Sequence, residues 1–158
     1  MLDNKLGLTT SVDLAREEER ISKQKAIRLF ENGLLDKLPA GKFSTLQAIH
    51  KYLFEDIYSF APLMYLQAAL ENIDKMPQSS FDEIVEKYVE MNIAHPFREG
   101  NGRSTRIWLD HIFKNEIGKV IDWSKVDNNH EIYMKGIDHS YYYEGYTMFK
   151  ADDLDRDL

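Results

Sequence analysis

The sequence contains no cysteine among its 158 residues. This absence excludes disulfide bonds, thiol catalysis and cysteine-ligated zinc or iron–sulfur sites. The sequence also lacks any apolar run near the roughly 20 residues that a membrane span needs. The first residues show no apolar stretch after a basic start, so no secretory signal is recognisable. We therefore predict a soluble cytoplasmic protein that does not associate with membranes.

Positive charge is also scarce. Lysine and arginine number 20 against 27 aspartates and glutamates, for a net charge of −7. Because affinity for a phosphate backbone requires clustered basic residues, we expect no nucleic-acid partner. Against this background Arg98, Arg103 and Arg106 fall close together. That local concentration favours a small anionic ligand over a polymer, and Arg98 itself is assigned no role.

Alternating strand patterns are absent, whereas apolar residues recur at helical spacing. The length fits one domain, and we predict an all-α fold. The helix over 79–95 begins at Ser79 or Ser80 and has a broad apolar face, so we expect it to be the most buried. Ser44 or Thr45 is expected to cap the second helix. The predicted helices cover about 14–33, 45–57, 63–76, 79–95, 104–118 and 130–146.

The stretch "HPFREGNGRSTR", residues 95–106, joins two of the predicted helices. Pro96 prevents the first helix from continuing, and Gly100 and Gly102 allow backbone conformations that larger residues resist. A glycine-containing loop that leads into a helix presents free N–H groups and partial positive charge to an anion. Asn101 tolerates left-handed geometry and can supply an amide donor. The stretch is therefore predicted to be an anion-binding loop.

Four further side chains of this stretch suggest chemistry at a phosphate. Arg103 and Arg106 are three residues apart, so they are expected to project from one side of the following helix. The planar fork of arginine suits phosphate oxygens. His95 is largely neutral near pH 7 and can take a proton from a hydroxyl. Glu99 is a candidate oxygen ligand for Mg²⁺ bound to a polyphosphate.

Simpler interpretations carry weight for each residue alone. A glycine pair more often forms a turn than binds phosphate, and a lone histidine is more often structural. His50, beside a buried helical stripe, is expected to be such a packing residue. A base, an acid, a glycine loop and two paired arginines occur together in this stretch. On their spacing alone, phosphate chemistry and simple structural roles are equally favoured.

The same stretch resembles the motif of Fic domains, H-P-F-x-[DE]-G-N-G-R-x-x-R, at every specified position. The resemblance covers about residues 45–123 and implies a Fic-like helical bundle with the active loop between two central helices. It implies transfer of AMP from ATP to a serine, threonine or tyrosine hydroxyl of an unidentified target protein, with Mg²⁺ as cofactor. It implies a general base at His95, a metal ligand at Glu99, a buried anchor at Phe97, and phosphate-binding residues at Gly100, Asn101, Gly102, Arg103 and Arg106.

A second stretch, "SYYYEGY" at 140–146, resembles the inhibitory motif [ST]-x-x-x-[DE]-G-[NY] of some Fic proteins. The resemblance implies that Ser140 and Glu144 lie on an inhibitory helix over about 130–146, with Glu144 competing with ATP for Arg106. We therefore predict a single Fic domain over 1–158, with a core at about 45–123 and a charged tail over 150–158.

Two segments typical of the family are missing from the sequence. A β-hairpin flap that aligns target segments normally follows "FA", but Ala61 leads directly into "PLMYLQAAL". The stretch 126–132 is also short for the helices that usually precede an inhibitory helix. Either the protein lacks both segments or the printed sequence leaves them out, and omission is favoured because both positions are where mobile loops are expected.

Other functions remain open at this stage. Fic-like folds also transfer UMP, phosphocholine or phosphate, or remove AMP, and a catalytically silent interaction module is a further alternative. The sequence does not decide whether the protein forms a homo-oligomer.

Overall fold

The computed structural model describes residues 3–59, 67–123 and 134–135. Its helices confirm the all-α prediction. None of the helices within these ranges has the length and apolar character needed to cross a bilayer. The five helices are α1 (Ser11–Glu31), α2 (Phe43–Phe54), α3 (Gln67–Lys75), α4 (Phe81–Ala94) and α5 (Asn101–Ile117), and two short antiparallel strands are β1 (Val120–Ile121) and β2 (Met134–Lys135).

The start of α4 follows its sequence signal. Ser80 is the N-cap, and its side chain accepts from the N–H of Glu83 while the Glu83 carboxylate accepts from the N–H of Ser80. This reciprocal arrangement satisfies amides that have no partner inside the helix. The prediction of a helix start at this serine pair is confirmed.

The start of α2 differs from the prediction. Its N-cap is Lys42, without a side-chain cap, and neither Ser44 nor Thr45 takes that role. Instead, Asp74 Oδ1 on α3 accepts from the N–H of Phe43 at 2.6 Å. A carboxylate from a helix distant in sequence thus performs the capping, which no local pattern could reveal.

The most buried helix is α5, and the prediction that α4 would be most buried is wrong. The apolar face of α4 is broad, yet Val89 is 47% exposed and Ile93 71% exposed. By contrast, α5 packs against α2, α4 and β1, and eleven of its residues are buried, polar ones included. Periodicity identifies residues suited to burial, but the number of neighbouring elements decides which helix is central.

The predicted helix over 130–146 is wrong at Met134–Lys135, which form β2. Strand β2 pairs with β1, placing Lys135 opposite Val120 and Met134 opposite Ile121. The two β-branched residues of β1 are buried and extended, so their backbone groups require a partner strand. The remainder of that predicted helix, with Ser140 and Glu144, lies outside the described residues.

Candidate active site

The loop between α4 and α5 begins with a histidine in an unusual backbone conformation. His95 has φ 44° and ψ 60°, in the left-handed region that few non-glycine residues adopt. Its N–H donates to the carbonyl of Met91 at 3.2 Å and closes α4. The side chain is exposed. The end of α4 therefore places the candidate base at the surface, where a substrate hydroxyl could reach it.

Asn101 organises the loop through its side chain. Its Oδ1 accepts from the N–H of Phe97 at 2.9 Å, and its Nδ2 donates to the carbonyl of Phe97 at 2.6 Å. Asn101 is the first residue of α5, and the left-handed conformations belong to His95 and Gly100 instead. Asn101 therefore does not use its tolerance of left-handed geometry, and its side-chain amide donates within the loop.

The ring of Phe97 anchors the loop on α2. It is half-buried and stacks on the imidazole of His50 with centroids 3.8 Å apart and planes 13° apart. Phe43 lies near the same ring at 6.2 Å. The anchoring role expected of Phe97 is consistent with this packing, although the ring is less buried than expected.

His50 holds the loop backbone as well as its phenylalanine. Its Nε2 lies 2.8 Å from the carbonyl oxygen of Glu99. Because a carbonyl can only accept, Nε2 carries the proton. Burial lowers the pKa of His50 to about 4, against a smaller opposing effect of this hydrogen bond. His50 is thus a neutral packing histidine, as expected, and it also fixes the peptide of the candidate metal ligand.

Gly100 lies where the loop backbone comes closest to the core. Its φ of 75° is left-handed, and a Cβ at this position would meet Phe54 Cε2 at 2.3 Å. Only glycine fits this combination of conformation and contact. The close approach fixes the start of α5, whose first-turn amides, including those of Asn101 and Gly102, make no intrahelical hydrogen bond. Free amides at a helix start are suited to an anion, which is the role that the sequence predicts for them.

Glu99 lies beside this helix start. Its Oε1 accepts from the N–H of Gly100 at 2.9 Å and lies 3.7 Å from Arg103 Nη2. Within the described ranges no three histidine, aspartate or glutamate side chains are grouped so that they could hold a metal ion. One carboxylate is nevertheless compatible with Mg²⁺, because that ion commonly takes most of its remaining ligands from water and substrate phosphates.

Arg103 is held by groups from the distant α1. Its Nη2 donates to the carboxylate of Glu18, and its Nη1 donates to Ser22 Oγ at 3.1 Å. The guanidinium carbon lies 4.8 Å from the centre of the Phe54 ring. Tyr58, just after α2, donates its hydroxyl to the other oxygen of Glu18. Burial, followed by this hydrogen bond, raises the pKa of Tyr58, so the hydroxyl keeps its proton.

Arg106 has different surroundings. It is only 6% exposed, and its guanidinium carbon lies 5.4 Å from the centre of the Trp123 ring. Trp123 Nε1 donates to Asp110 Oδ2 at 2.7 Å, and Asp110 Oδ1 accepts from the N–H of Ile121 at 3.2 Å. The two arginines lie three residues apart on α5, but Arg103 contacts α1 and Arg106 contacts the segment after β1.

Sequence reasoning missed four of these supporting residues, namely Glu18, Tyr58, Asp110 and Trp123. A signal for Glu18 did exist. Glu18 and Ser22 continue the four-residue spacing of the buried Leu14 and Ala26, so both fall on the inward face of α1. A charged residue within such a stripe requires a buried partner. Nothing comparable marked Trp123.

Comparison with known proteins agrees with this geometry. Residues 41–113 match the model of the Fic/DOC family. This stretch is a Fic/DOC domain. It is 31% identical over 153 residues to the protein adenylyltransferase VbhT of Bartonella schoenbuchensis, an alignment that covers 78% of the chain and 31% of VbhT. The chain thus spans less than a third of that relative's length.

Solved Fic domains share the fold at lower identity. The N-terminal Fic domain of a VirB-translocated Bep effector of Bartonella quintana, solved with bound ADP, is 20% identical with a TM-score of 0.66 and covers 82% of this chain and 78% of its own. BepC of Bartonella tribocorum, solved with bound AMPPNP, is 17% identical with a TM-score of 0.63 and covers 82% and 80%. Glu18 and Trp123 lie outside the stretch that matches the family model.

Proposed function

We propose that this Fic domain is a protein adenylyltransferase, which transfers AMP from ATP to a serine, threonine or tyrosine hydroxyl of a target protein. One observation carries the proposal. The exposed His95 directly precedes a loop that ends in an open helix start, and Arg103 and Arg106 lie in the first turns of that helix. A relative that is named a protein adenylyltransferase supports the choice of AMP as the transferred group.

In this proposal His95 accepts the proton of the attacking hydroxyl. The hydroxyl oxygen forms a bond to the α-phosphorus of ATP while the bond from that phosphorus to the pyrophosphate oxygen breaks. AMP stays on the target and pyrophosphate leaves. The exposure of His95 allows a protein side chain to approach, and an imidazole is a common general base.

The phosphates of ATP would be bound by the start of α5. First-turn amides, including those of Asn101 and Gly102, and the guanidinium groups of Arg103 and Arg106 supply positive charge at this point. Glu99 would hold Mg²⁺, which neutralises phosphate charge when it is bound. Preorganised donors of this kind stabilise the charge that develops on the leaving pyrophosphate.

We further propose that the segment containing Ser140 and Glu144 inhibits this activity. The support is the match of "SYYYEGY" to the inhibitory motif together with the placement of Arg106. A carboxylate that pairs with Arg106 would remove the guanidinium that ATP needs for its terminal phosphate. Ser140 and Glu144 lie outside the described residues, so their part in the proposal rests on the sequence match.

The catalytic proposal is tested with His95→Ala in a Glu144→Gly background. Transfer of labelled AMP to the chain itself, or to proteins of a lysate, should fall to background. Arg98→Ala is the matched control, because Arg98 is an exposed residue of the same loop. Transfer that survives His95→Ala would refute the base assignment. Mass spectrometry of labelled lysate proteins would then identify target hydroxyls.

The inhibitory proposal is tested by comparing the unaltered chain with Glu144→Gly. The substitution should increase Mg²⁺-dependent ATP binding in calorimetry, and Asp152→Gly provides a control of equal charge change. Unchanged binding would refute inhibition by Glu144. A panel of other nucleotides on the Glu144→Gly chain separates AMP transfer from other Fic reactions, and absence of all nucleotide binding would indicate a silent interaction module.

A further inference from the structure

We propose that Glu18 of α1 is a positioning residue that orients Arg103 for phosphate binding, and that Tyr58 holds Glu18 in place. The inference rests on the proposed function, because it assigns the orientation of an arginine that this function uses. Glu18 touches no substrate in the proposal and acts through Arg103 alone.

The geometry gives each group of this cluster a defined partner. One carboxylate oxygen of Glu18 accepts from Arg103 Nη2, and the other accepts from the hydroxyl of Tyr58. Ser22, one turn further along α1, accepts from Arg103 Nη1. The guanidinium carbon lies 4.8 Å from the centre of the Phe54 ring. Contacts to two different nitrogens and to the ring fix the position of the guanidinium.

Burial of Glu18 and Tyr58 favours one orientation of Arg103 over others. Glu18 is 8% exposed and Tyr58 is 4% exposed, so water cannot readily replace either partner. A buried carboxylate requires a charged or hydrogen-bonding partner, and alternative orientations of Arg103 would leave Glu18 with Tyr58 alone. The cluster therefore favours one orientation of Arg103 before any ligand arrives. Such preorganisation lowers the entropy lost on binding.

Simple electrostatics gives the opposite expectation for Glu18. A carboxylate close to the phosphate site repels a polyphosphate, so its neutralisation should by charge alone strengthen ATP binding. A positioning role predicts weaker binding when Glu18 is altered. The direction of the change therefore distinguishes the two effects.

The first experiment uses the full chain with Glu144→Gly and measures ATP binding by calorimetry in the presence of Mg²⁺. Glu18→Gln should raise the Kd for ATP about tenfold, as expected for loss of a charged hydrogen-bond partner that orients a ligand group. Tyr58→Phe should raise it less. Glu17→Gln is the matched control, because Glu17 is on the same helix and pairs with Arg20 at the surface, and its Kd should stay within about twofold.

A double-mutant cycle tests whether Glu18 acts through Arg103. In a chain that already carries Arg103→Lys, Glu18→Gln should cause little further change in Kd, because lysine cannot form the same fork. Additive effects of the two substitutions would overturn the inference. So would tighter or unchanged ATP binding in Glu18→Gln alone, whether or not its melting temperature falls.

A spectroscopic readout keeps the inference separate from the proposed function. In chain labelled with ¹⁵N-arginine, the Nη signals of Arg103 should show restricted rotation without any ligand, and Glu18→Ala should restore rapid rotation. Arg103→Lys identifies the signals. If the parent neither binds nor transfers nucleotide, the proposed function fails, and these signals still decide whether Glu18 holds Arg103. Rapid rotation in the unaltered chain would overturn the inference.

Discussion

The two motif arginines of α5 are separated by one helical turn but are supported by different chemistry. Arg103 belongs to a charged cluster with Glu18 and Tyr58, which come from α1 and the end of α2. Arg106 lies over the indole of Trp123, which Asp110 holds from within α5. The arginines of a complete motif can therefore depend on residues that precede and follow the motif in the sequence.

The difference has an energetic meaning. Charged groups in a buried cluster depend on each other, since removal of one leaves another without compensation. The contact of Arg106 with the Trp123 ring is a cation–aromatic contact, which by itself contributes less. We therefore expect loss of the Glu18 contact to cost more stability than loss of the Trp123 contact.

The largest effect is expected from Arg103→Met. The substitution leaves the Glu18 carboxylate buried beside Tyr58, and the free energy of unfolding should fall by about 3–5 kcal/mol. Urea unfolding measures this change, and Arg98→Met on the exposed part of the loop should change it by less than about 0.5 kcal/mol. Glu18→Gln in the Arg103→Met chain should recover part of the loss. Equal effects of Arg103→Met and Arg98→Met would contradict the predicted cost of leaving Glu18 buried without Arg103.

Gly100→Ala should be the next largest. A methyl group would strike the Phe54 ring that lies against Arg103, and the backbone would be strained at φ 75°. Together these effects should lower the free energy of unfolding by about 2–4 kcal/mol. Gly118→Ala is a matched control, because Gly118 has φ 69° with nothing within 4 Å. It should lose only about 1 kcal/mol, and equal losses at both positions would show that the contact with Phe54 is unimportant.

The pH dependence of stability tests whether His50, which packs against the loop, is buried in its neutral form. His50 has a folded pKa of about 4, below its ordinary value of 6.5, so the unfolded chain binds the proton more readily between these values. Its contribution is neutral above pH 6.5 and becomes destabilising as pH falls towards 4, reaching about 2 kcal/mol at pH 5.

His50→Gln removes this titration while keeping a donor for the Glu99 carbonyl. The difference in unfolding free energy between the variant and the unaltered chain should therefore shift by about 2 kcal/mol between pH 7 and pH 5. Burial also lowers the pKa of His111, which stays present in both chains and cancels in the comparison. A pH-independent difference would refute the assignment of a buried neutral His50.

The smallest effect is expected on the Arg106 side. Asp110→Asn cannot accept both from the N–H of Ile121 and from the indole of Trp123, and should lower the free energy of unfolding by about 1–2 kcal/mol. Hydrogen exchange of the Trp123 indole N–H should accelerate. The indole of Trp108, which donates to the carbonyl of Lys42 at 3.0 Å, provides an internal control in the same spectrum. Unchanged exchange at Trp123 would show that Asp110 does not hold it.

Local patterns predicted several elements correctly. The cap at Ser80, the helix breaks near the loop and the packing role of His50 depend on neighbouring residues, so they are visible in the sequence. The cap of α2 was not predictable, since Asp74 reaches Phe43 from 31 positions away. The exposure of Ile93 was also missed, because an apolar pattern does not show how many elements will cover a helix.

The sequence by itself determined which residues form the loop and the helix start that follows it, from His95 to Arg106, because the motif confines glycine flexibility, acid, base and arginines to twelve positions. Only the tertiary structure decided how those residues are supported. Glu18 and Trp123 reach the two arginines from helix α1 and from the segment after β1, far outside the motif. Such contacts arise from the packing of whole helices, which depends on the combined burial of many side chains and leaves no local mark in the sequence.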